Sequence, residues 1–155
     1  MKLVAVVLVF LLSAGQLFSQ TIEDVMESYW SGASRARSEA TESGYFYCSQ
    51  YLYDVEYNSY DDTFEGTLKT VFNLDGTDYI SKWTVSGSVN TTDFSVTIRP
   101  LYMLREDELP GGLYWIGDNV YLQLYNDADH EGYFLMSGQS SSMEYSDETF
   151  ELGTY

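Results

Sequence analysis

The 155-residue sequence contains one cysteine, one histidine and two prolines. Cys48 has no partner within the chain, so we predict no intrachain disulfide and a small buried thiol. The single histidine, His130, excludes zinc sites built from several histidines, and its polar turn predicts a solvated side chain. The sequence also has no Gly-x-Ser-x-Gly turn and no phosphate-binding glycine loop. We therefore predict no catalytic residue.

Basic residues are scarce as well. Seven Lys and Arg stand against 24 Asp and Glu, which gives a formal net charge of −17. Binding to nucleic acids and to anionic lipid surfaces depends on Lys and Arg contacts, so both kinds of partner are disfavoured. Cations, basic proteins and neutral sugars remain compatible with this charge.

The apolar run Leu3–Leu12 is too short to cross a membrane. As a helix it would measure about 15 Å, whereas a bilayer core is about 30 Å thick. Because Lys2 precedes the run and small residues follow it, we predict a signal peptide over residues 1–19, cleaved after Gly15 or Ser19. Residues 20–155 are then expected to form one secreted or periplasmic domain, a monomer that does not insert into membranes.

One helix is predicted near the start of this domain. Thr21 is its expected N-cap, with Asp24 completing a capping box. Its apolar face is predicted to comprise Ile22, Val25, Met26 and Tyr29, and it should end by residues 31–32. Residues 31–43 are interpreted as a loop with a possible strand over 33–37.

From Gly44 onward the sequence alternates with a period of two, which is typical of β-strands. Strands are predicted over residues 44–57, 63–74, 79–89, 94–98, 113–116, 120–125, 132–137 and 142–152, the last with a possible break at Ser146-Asp147. Asp75-Gly76 is the strongest hairpin signal, because these residues readily adopt the positive φ of a tight turn. Eight to ten strands with short connections predict an all-β antiparallel meandering barrel, and a β-sandwich is the alternative.

This pattern resembles lipocalin-like (calycin-type) barrels, in which a short helix and a Gly-x-Trp motif precede the first strand. Here the corresponding segment is Tyr29-Trp30-Ser31-Gly32, and Ser28 replaces the motif glycine. The segment 17–20 resembles the signal-peptide ends of exported Bacteroidetes proteins, and the segments 64–66 and 133–138 are similar to small secreted β domains of Bacteroidetes. The resemblance implies a barrel whose interior could hold a small ligand, and it implies no catalytic residue.

Aromatic residues are the most notable excess, with 15 Tyr, three Trp and eight Phe. The predicted ligand-binding residues are Tyr45, Tyr47, Tyr51 and Tyr53, which lie with Tyr57 on one face of a strand, together with Trp83 on a nearby strand. Such a row could stack on sugar rings or line a cavity. It could equally stabilise the sheet through cross-strand packing.

The acidic segment 126–132 resembles the first half of a calcium loop. Asp127, Asp129 and Glu131 alternate ahead of Gly132, as the ligands of such a loop do, and they are the predicted metal ligands. The twelfth loop position is Gly138 rather than an acid, so an acidic hairpin turn is the alternative. Calcium is the one cofactor considered.

The sequence favours an exported protein that binds a small apolar or aromatic molecule, or a sugar, without catalysis. One alternative is a secreted hydrolase that uses two carboxylates, for example Asp54 with Glu56, or Glu144 with Glu148 and Glu151. A structural or interaction protein of the cell surface is another alternative.

Overall fold

The computed structural model describes residues 20–39 and 42–154, and the predicted signal peptide lies outside the described residues. The described chain forms one short helix, α1, and eight strands. Their bounds are α1 (Ile22–Met26), β1 (Trp30–Arg37), β2 (Tyr45–Asn58), β3 (Thr63–Leu74), β4 (Thr77–Val89), β5 (Ser95–Glu106), β6 (Val120–Asn126), β7 (Phe134–Ser140) and β8 (Thr149–Thr154). A 3-10 turn occupies Pro110–Gly112, between β5 and β6.

Each strand pairs antiparallel with the next along the chain, and β8 pairs with β1. The sheet is therefore a closed eight-stranded meander. The predicted all-β barrel with a short N-terminal helix is confirmed, and the alternative sandwich is wrong. At the β3–β4 hairpin, Asp75 and Gly76 have φ values of 52° and 80°, as a tight turn of this kind requires.

The structure corrects the interpretation of residues 31–43 as mainly loop. Trp30–Arg37 is a full strand, paired with β2 on one side and β8 on the other. The strand contains small residues because β8 passes very close to it, and these small residues make the alternation of apolar and polar side chains hard to recognise. A Cβ at Gly32 would lie 2.0 Å from the carbonyl oxygen of Glu151. The helix is shorter than predicted and ends at Met26, which leaves Tyr29 outside it and exposed.

The segment between β5 and β6 also differs from the prediction. Strand β5 continues through Pro100 to Glu106, but β6 pairs only with its first residues, Ser95–Ile98. Pro100 is tolerated because β6 does not pair with this part of β5. Residues 113–116, predicted as a strand, form part of a loop, as do residues 142–148 before β8.

A bulge in β2 changes which side chains face the interior. Asp54 has a φ of 52°, and the β2–β3 register shifts between Tyr53 and Glu56. Before the bulge the even-numbered residues face inward, whereas after it Val55 and Tyr57 are buried. The prediction that Tyr57 shares a face with the earlier tyrosines is therefore wrong.

The core is centred on the end of the barrel that α1 covers, and three of its members, Leu68, Val120 and Phe150, extend to the lining of the cavity at the other end. Trp30, at the start of β1, is fully buried there, and its indole N–H donates to the carbonyl oxygen of Met26 at 3.3 Å. Val25 and Met26 of α1 belong to the same cluster, which also contains Leu52, Val55, Tyr57, Phe64, Leu68, Val85, Val89, Val96, Ile98, Val120, Leu122, Leu124, Phe134, Met136, Phe150 and Leu152. This end is closed by packed side chains.

Candidate ligand-binding cavity

The end of the barrel opposite α1 contains an open cavity of about 210 Å³. It lies between the end of β1, the start of β2, the end of β3 and the start of β4, and residues 109–118 form part of its wall. Six aromatic residues contribute to the lining: Phe46, Phe72, Trp83, Tyr114, Trp115 and Phe150. The same barrel is thus packed at one end and hollow at the other.

Gln50 is a buried polar residue of the cavity wall. It is 4% exposed, and its amide nitrogen donates to the hydroxyl of Ser34 at 2.8 Å. Its amide oxygen accepts from the hydroxyl of Thr70, also at 2.8 Å. These bonds fix the orientation of the amide, while a primary amide still has one further N–H and one further lone pair available. A ligand could bond to either.

Cys48 also lines the cavity, beside Ser34. Burial raises the pKa of its thiol to about 11, and the hydrogen bond from Ser34 only partly offsets that effect. The thiol is therefore protonated at neutral pH and is a poor nucleophile. Its contribution to the cavity is shape and apolar surface.

The loop 109–118 forms the mouth of the cavity. The indole N–H of Trp115 donates to the carbonyl oxygen of Asp107 at 2.8 Å, which holds that ring in place. Gly117 packs directly on Trp83, since a Cβ at this position would lie 2.9 Å from the indole Cη2. A larger residue at position 117 would displace the Trp83 ring or the loop.

Trp83 is the one predicted ligand-binding residue that lines the cavity. The four predicted tyrosines lie on the outer face of β2, where Tyr47 is 57% exposed. There they form two groups: Tyr45 lies 6.1 Å from Tyr47 between ring centroids, and Tyr51 and Tyr53 each lie 6.3 Å from Tyr29. A binding role for these tyrosines stays a prediction, and it would concern the outer surface.

Tyr45 takes part in an ionic cluster at the rim. Its hydroxyl donates to the carboxylate of Asp147, which also accepts two bonds from Arg37 at 3.0 Å and a third at 3.2 Å. The bonds from Arg37, followed by the one from Tyr45, lower the pKa of Asp147 to about 2. The guanidinium of Arg37 also lies 4.1 Å from the ring centroid of Tyr145. This cluster joins the β7–β8 loop to β1 and β2.

The acids proposed as hydrolase pairs do not line the cavity. Among the described residues, Asp118 is the one acidic residue in the lining. Glu148 is 5% exposed, but its carboxylate is engaged by backbone N–H groups of Arg37, Glu144 and Tyr145 at 2.7, 2.8 and 2.9 Å. It therefore anchors the loop before β8.

The three acids of the β6–β7 loop form no metal cluster. Within residues 20–39 and 42–154, no three His, Cys, Asp or Glu side chains are grouped so that they could hold a metal ion. Asp127 instead accepts from the backbone N–H of Asp129 at 2.9 Å and contacts Nδ1 of His130 at 2.9 Å. Calcium binding at Asp127, Asp129 and Glu131 stays a prediction.

Sequence reasoning missed most of the cavity wall. Phe46 and Gln50 stand at even positions of β2, whereas the predicted ligand-binding tyrosines stand at odd positions and face outward. Trp115 belongs to a predicted strand but lies in a loop. The available signal was the even-numbered series Phe46, Cys48, Gln50 and Leu52, which continues the inward face of β2 from its start.

No protein-family model, curated protein or solved structure matches this chain. In the part of the chain that the structure describes, no helix has the length and apolarity to cross a lipid bilayer.

Proposed function

We propose that this protein binds a small, predominantly aromatic molecule in the hollow end of its barrel and does so after export from the cytoplasm. The cavity supports this proposal: six aromatic residues contribute to its lining, and a fixed amide, Gln50, lies in its wall. Apolar cavities with a few placed polar groups are the usual form of small-molecule sites. The signal-like pattern of residues 1–19 supports export.

The cavity volume favours a ligand of one ring with a short substituent. A dry apolar cavity of about 150 Å³ can accept benzene, so about 210 Å³ has room for a few further atoms. A sugar is a poorer fit, because it carries hydroxyls around the ring and most of the wall offers them no partner. The carboxylate hydrolase is less well supported, since two acids are required and one carboxylate lines the cavity within the described residues.

A lipocalin-like assignment belongs to the same proposal. Two features support it: the closed eight-stranded meander, and a buried tryptophan, Trp30, at the start of β1 beside a short helix. Barrels of this size hold one small ligand or are filled by side chains. The cavity here favours the first possibility.

The experiment uses a neutral one-ring probe, phenol, and follows the melting temperature and the tryptophan fluorescence. At ten times its Kd, phenol should stabilise the protein by about 1.4 kcal/mol. For a domain of this size, that corresponds to a rise in melting temperature of roughly 4 °C. Fluorescence should change because Trp83 and Trp115 line the cavity.

Two substitutions on β1 provide a matched pair. Ala36 lines the cavity, whereas Ala33 is exposed on the outer face of the same strand. Ala36→Phe should fill the cavity and abolish the phenol response, and Ala33→Phe should retain it. Urea unfolding of both variants checks that they fold. Equal responses from the two variants, or no response from the unmodified protein, would refute the proposed site.

A further inference from the structure

The charge of the cavity lining carries an inference about its ligand, which rests on the proposed function. Among the described residues, the lining includes one carboxylate, Asp118, and no Lys, Arg or His. Asp118 lies at the mouth, in the loop that covers the barrel end. An anionic ligand would meet this carboxylate with no nearby cation in the wall to offset the repulsion.

Asp118 has only weak partners within the protein. The hydroxyls of Ser140 and Ser141 donate to its two carboxylate oxygens at 3.4 and 3.3 Å, longer than the 2.5–3.0 Å typical of such bonds. None of the ion pairs formed within residues 20–39 and 42–154 includes Asp118. Its negative charge is therefore available to a ligand.

Aromatic rings line the same cavity as this carboxylate. The neighbouring residue Gly117 packs on the indole of Trp83, and Tyr114 and Trp115 of the same loop also line the cavity. Indole and phenol faces attract cations through their negative π surface, most strongly for tryptophan. A carboxylate and several such rings in the lining of one cavity favour a positively charged group.

We propose that the ligand is a small aromatic amine, whose ring occupies the hollow end of the barrel and whose ammonium group pairs with Asp118 at the mouth. The cavity of about 210 Å³ accommodates one ring and a short chain, and the chain would bring the ammonium to the mouth. The strongly acidic protein, with a net charge of −17, also draws cations toward its surface and repels anions.

The test compares three probes that share a ring and a short chain: phenethylamine, phenethyl alcohol and phenylacetate. Their dissociation constants are measured by calorimetry at neutral pH, where the first is a cation, the second neutral and the third an anion. We expect phenethylamine to bind about tenfold more tightly than the alcohol, and phenylacetate to bind most weakly. An alcohol that binds at least as tightly as the amine would overturn this inference and leave the proposed function intact. Absence of binding by all three would overturn both.

Asp118→Asn tests whether this carboxylate is the origin of the preference. Asparagine keeps the shape and one acceptor oxygen, so the alcohol should bind within about twofold of its original affinity, while the amine loses its tenfold advantage. Glu65→Gln is the control, because it removes the same charge from an exposed position on β3. It should leave the order of the three probes unchanged. A preference for the amine that survives in Asp118→Asn would show that the cation binds elsewhere.

Discussion

Glu148 gives the sharpest prediction about what holds the rim of the barrel together. Its Oε1 accepts from the backbone N–H of Arg37 on β1, and its Oε2 accepts from the N–H groups of Glu144 and Tyr145. Burial alone would raise the pKa of this carboxyl, but the three backbone bonds outweigh it and bring the pKa below its usual value. The ionised side chain therefore connects the β7–β8 loop to β1.

The expected cost of Glu148→Gln follows from these bonds. The amide can keep its oxygen toward two of the N–H groups, but its NH₂ group must then face the third donor. One bond to a charged group is lost and two are weakened to neutral ones, which together cost about 3 kcal/mol. The melting temperature should fall by roughly 10 °C.

The assay is urea unfolding followed by tryptophan fluorescence, with Glu144→Gln as the control. Glu144 is exposed and four residues away, so its substitution should change the free energy of unfolding by less than about 0.5 kcal/mol. Equal stabilities of the two variants would refute the anchoring role of Glu148.

The pH dependence of the stability of Glu148→Gln provides a second test of the role of this carboxylate. Folding lowers the pKa of Glu148, so the ionised side chain stabilises the folded protein at pH values above 4.5, the pKa of this group in the unfolded chain. This stabilisation is lost as the pH falls through the lower pKa of the folded state. The stability difference between the unmodified protein and Glu148→Gln should therefore narrow in acid. A difference that stays constant below pH 4.5 would contradict the assigned pKa direction.

Two further predictions concern calcium and oligomeric state. Both carboxylate oxygens of Asp127 are already engaged within its loop. We therefore expect EDTA to leave the melting temperature unchanged. A clear fall in melting temperature would instead support calcium binding by the three acids of the β6–β7 loop. Strand β5 beyond Ile98 is not paired with β6, but register shifts around Leu101 and Leu104 and the charge of Arg99 should discourage pairing with a second copy. We therefore expect a monomer by light scattering, and a dimer would contradict this reading of the edge.

The sequence predicted the strands whose two faces differ in chemistry. In β3, Phe64, Leu68 and Phe72 alternate with polar residues and are buried, as expected. Strand β1 was predicted only as a possible strand over 33–37, because its composition is set by the close approach of β8 at Gly32, a contact between segments far apart in sequence. Residues 113–116 do not form the predicted strand, because apolar residues that cover a barrel end can have the same local pattern as a strand.

The cavity could not be derived from the sequence for two physical reasons. Both faces of β2 carry aromatic residues, so the alternation alone did not show whether Phe46 or Tyr47 faces inward. The Asp54 bulge then reverses the inward parity along the same strand. Whether space remains inside depends on the summed volumes of side chains from many elements, including Trp83 and Trp115, and no single segment contains that information.

The division of the barrel into a packed end and a hollow end affects how this protein could evolve. Most mutations that unfold a domain act by disturbing its packed core, which here centres on Trp30 and the residues of α1. Exchanges at Phe46, Trp115 or Asp118 alter the wall of an existing space and remove little of that packing. Ligand preference can therefore change while the free energy of unfolding is largely retained. Directed evolution of new binding specificities should begin with the loop 109–118.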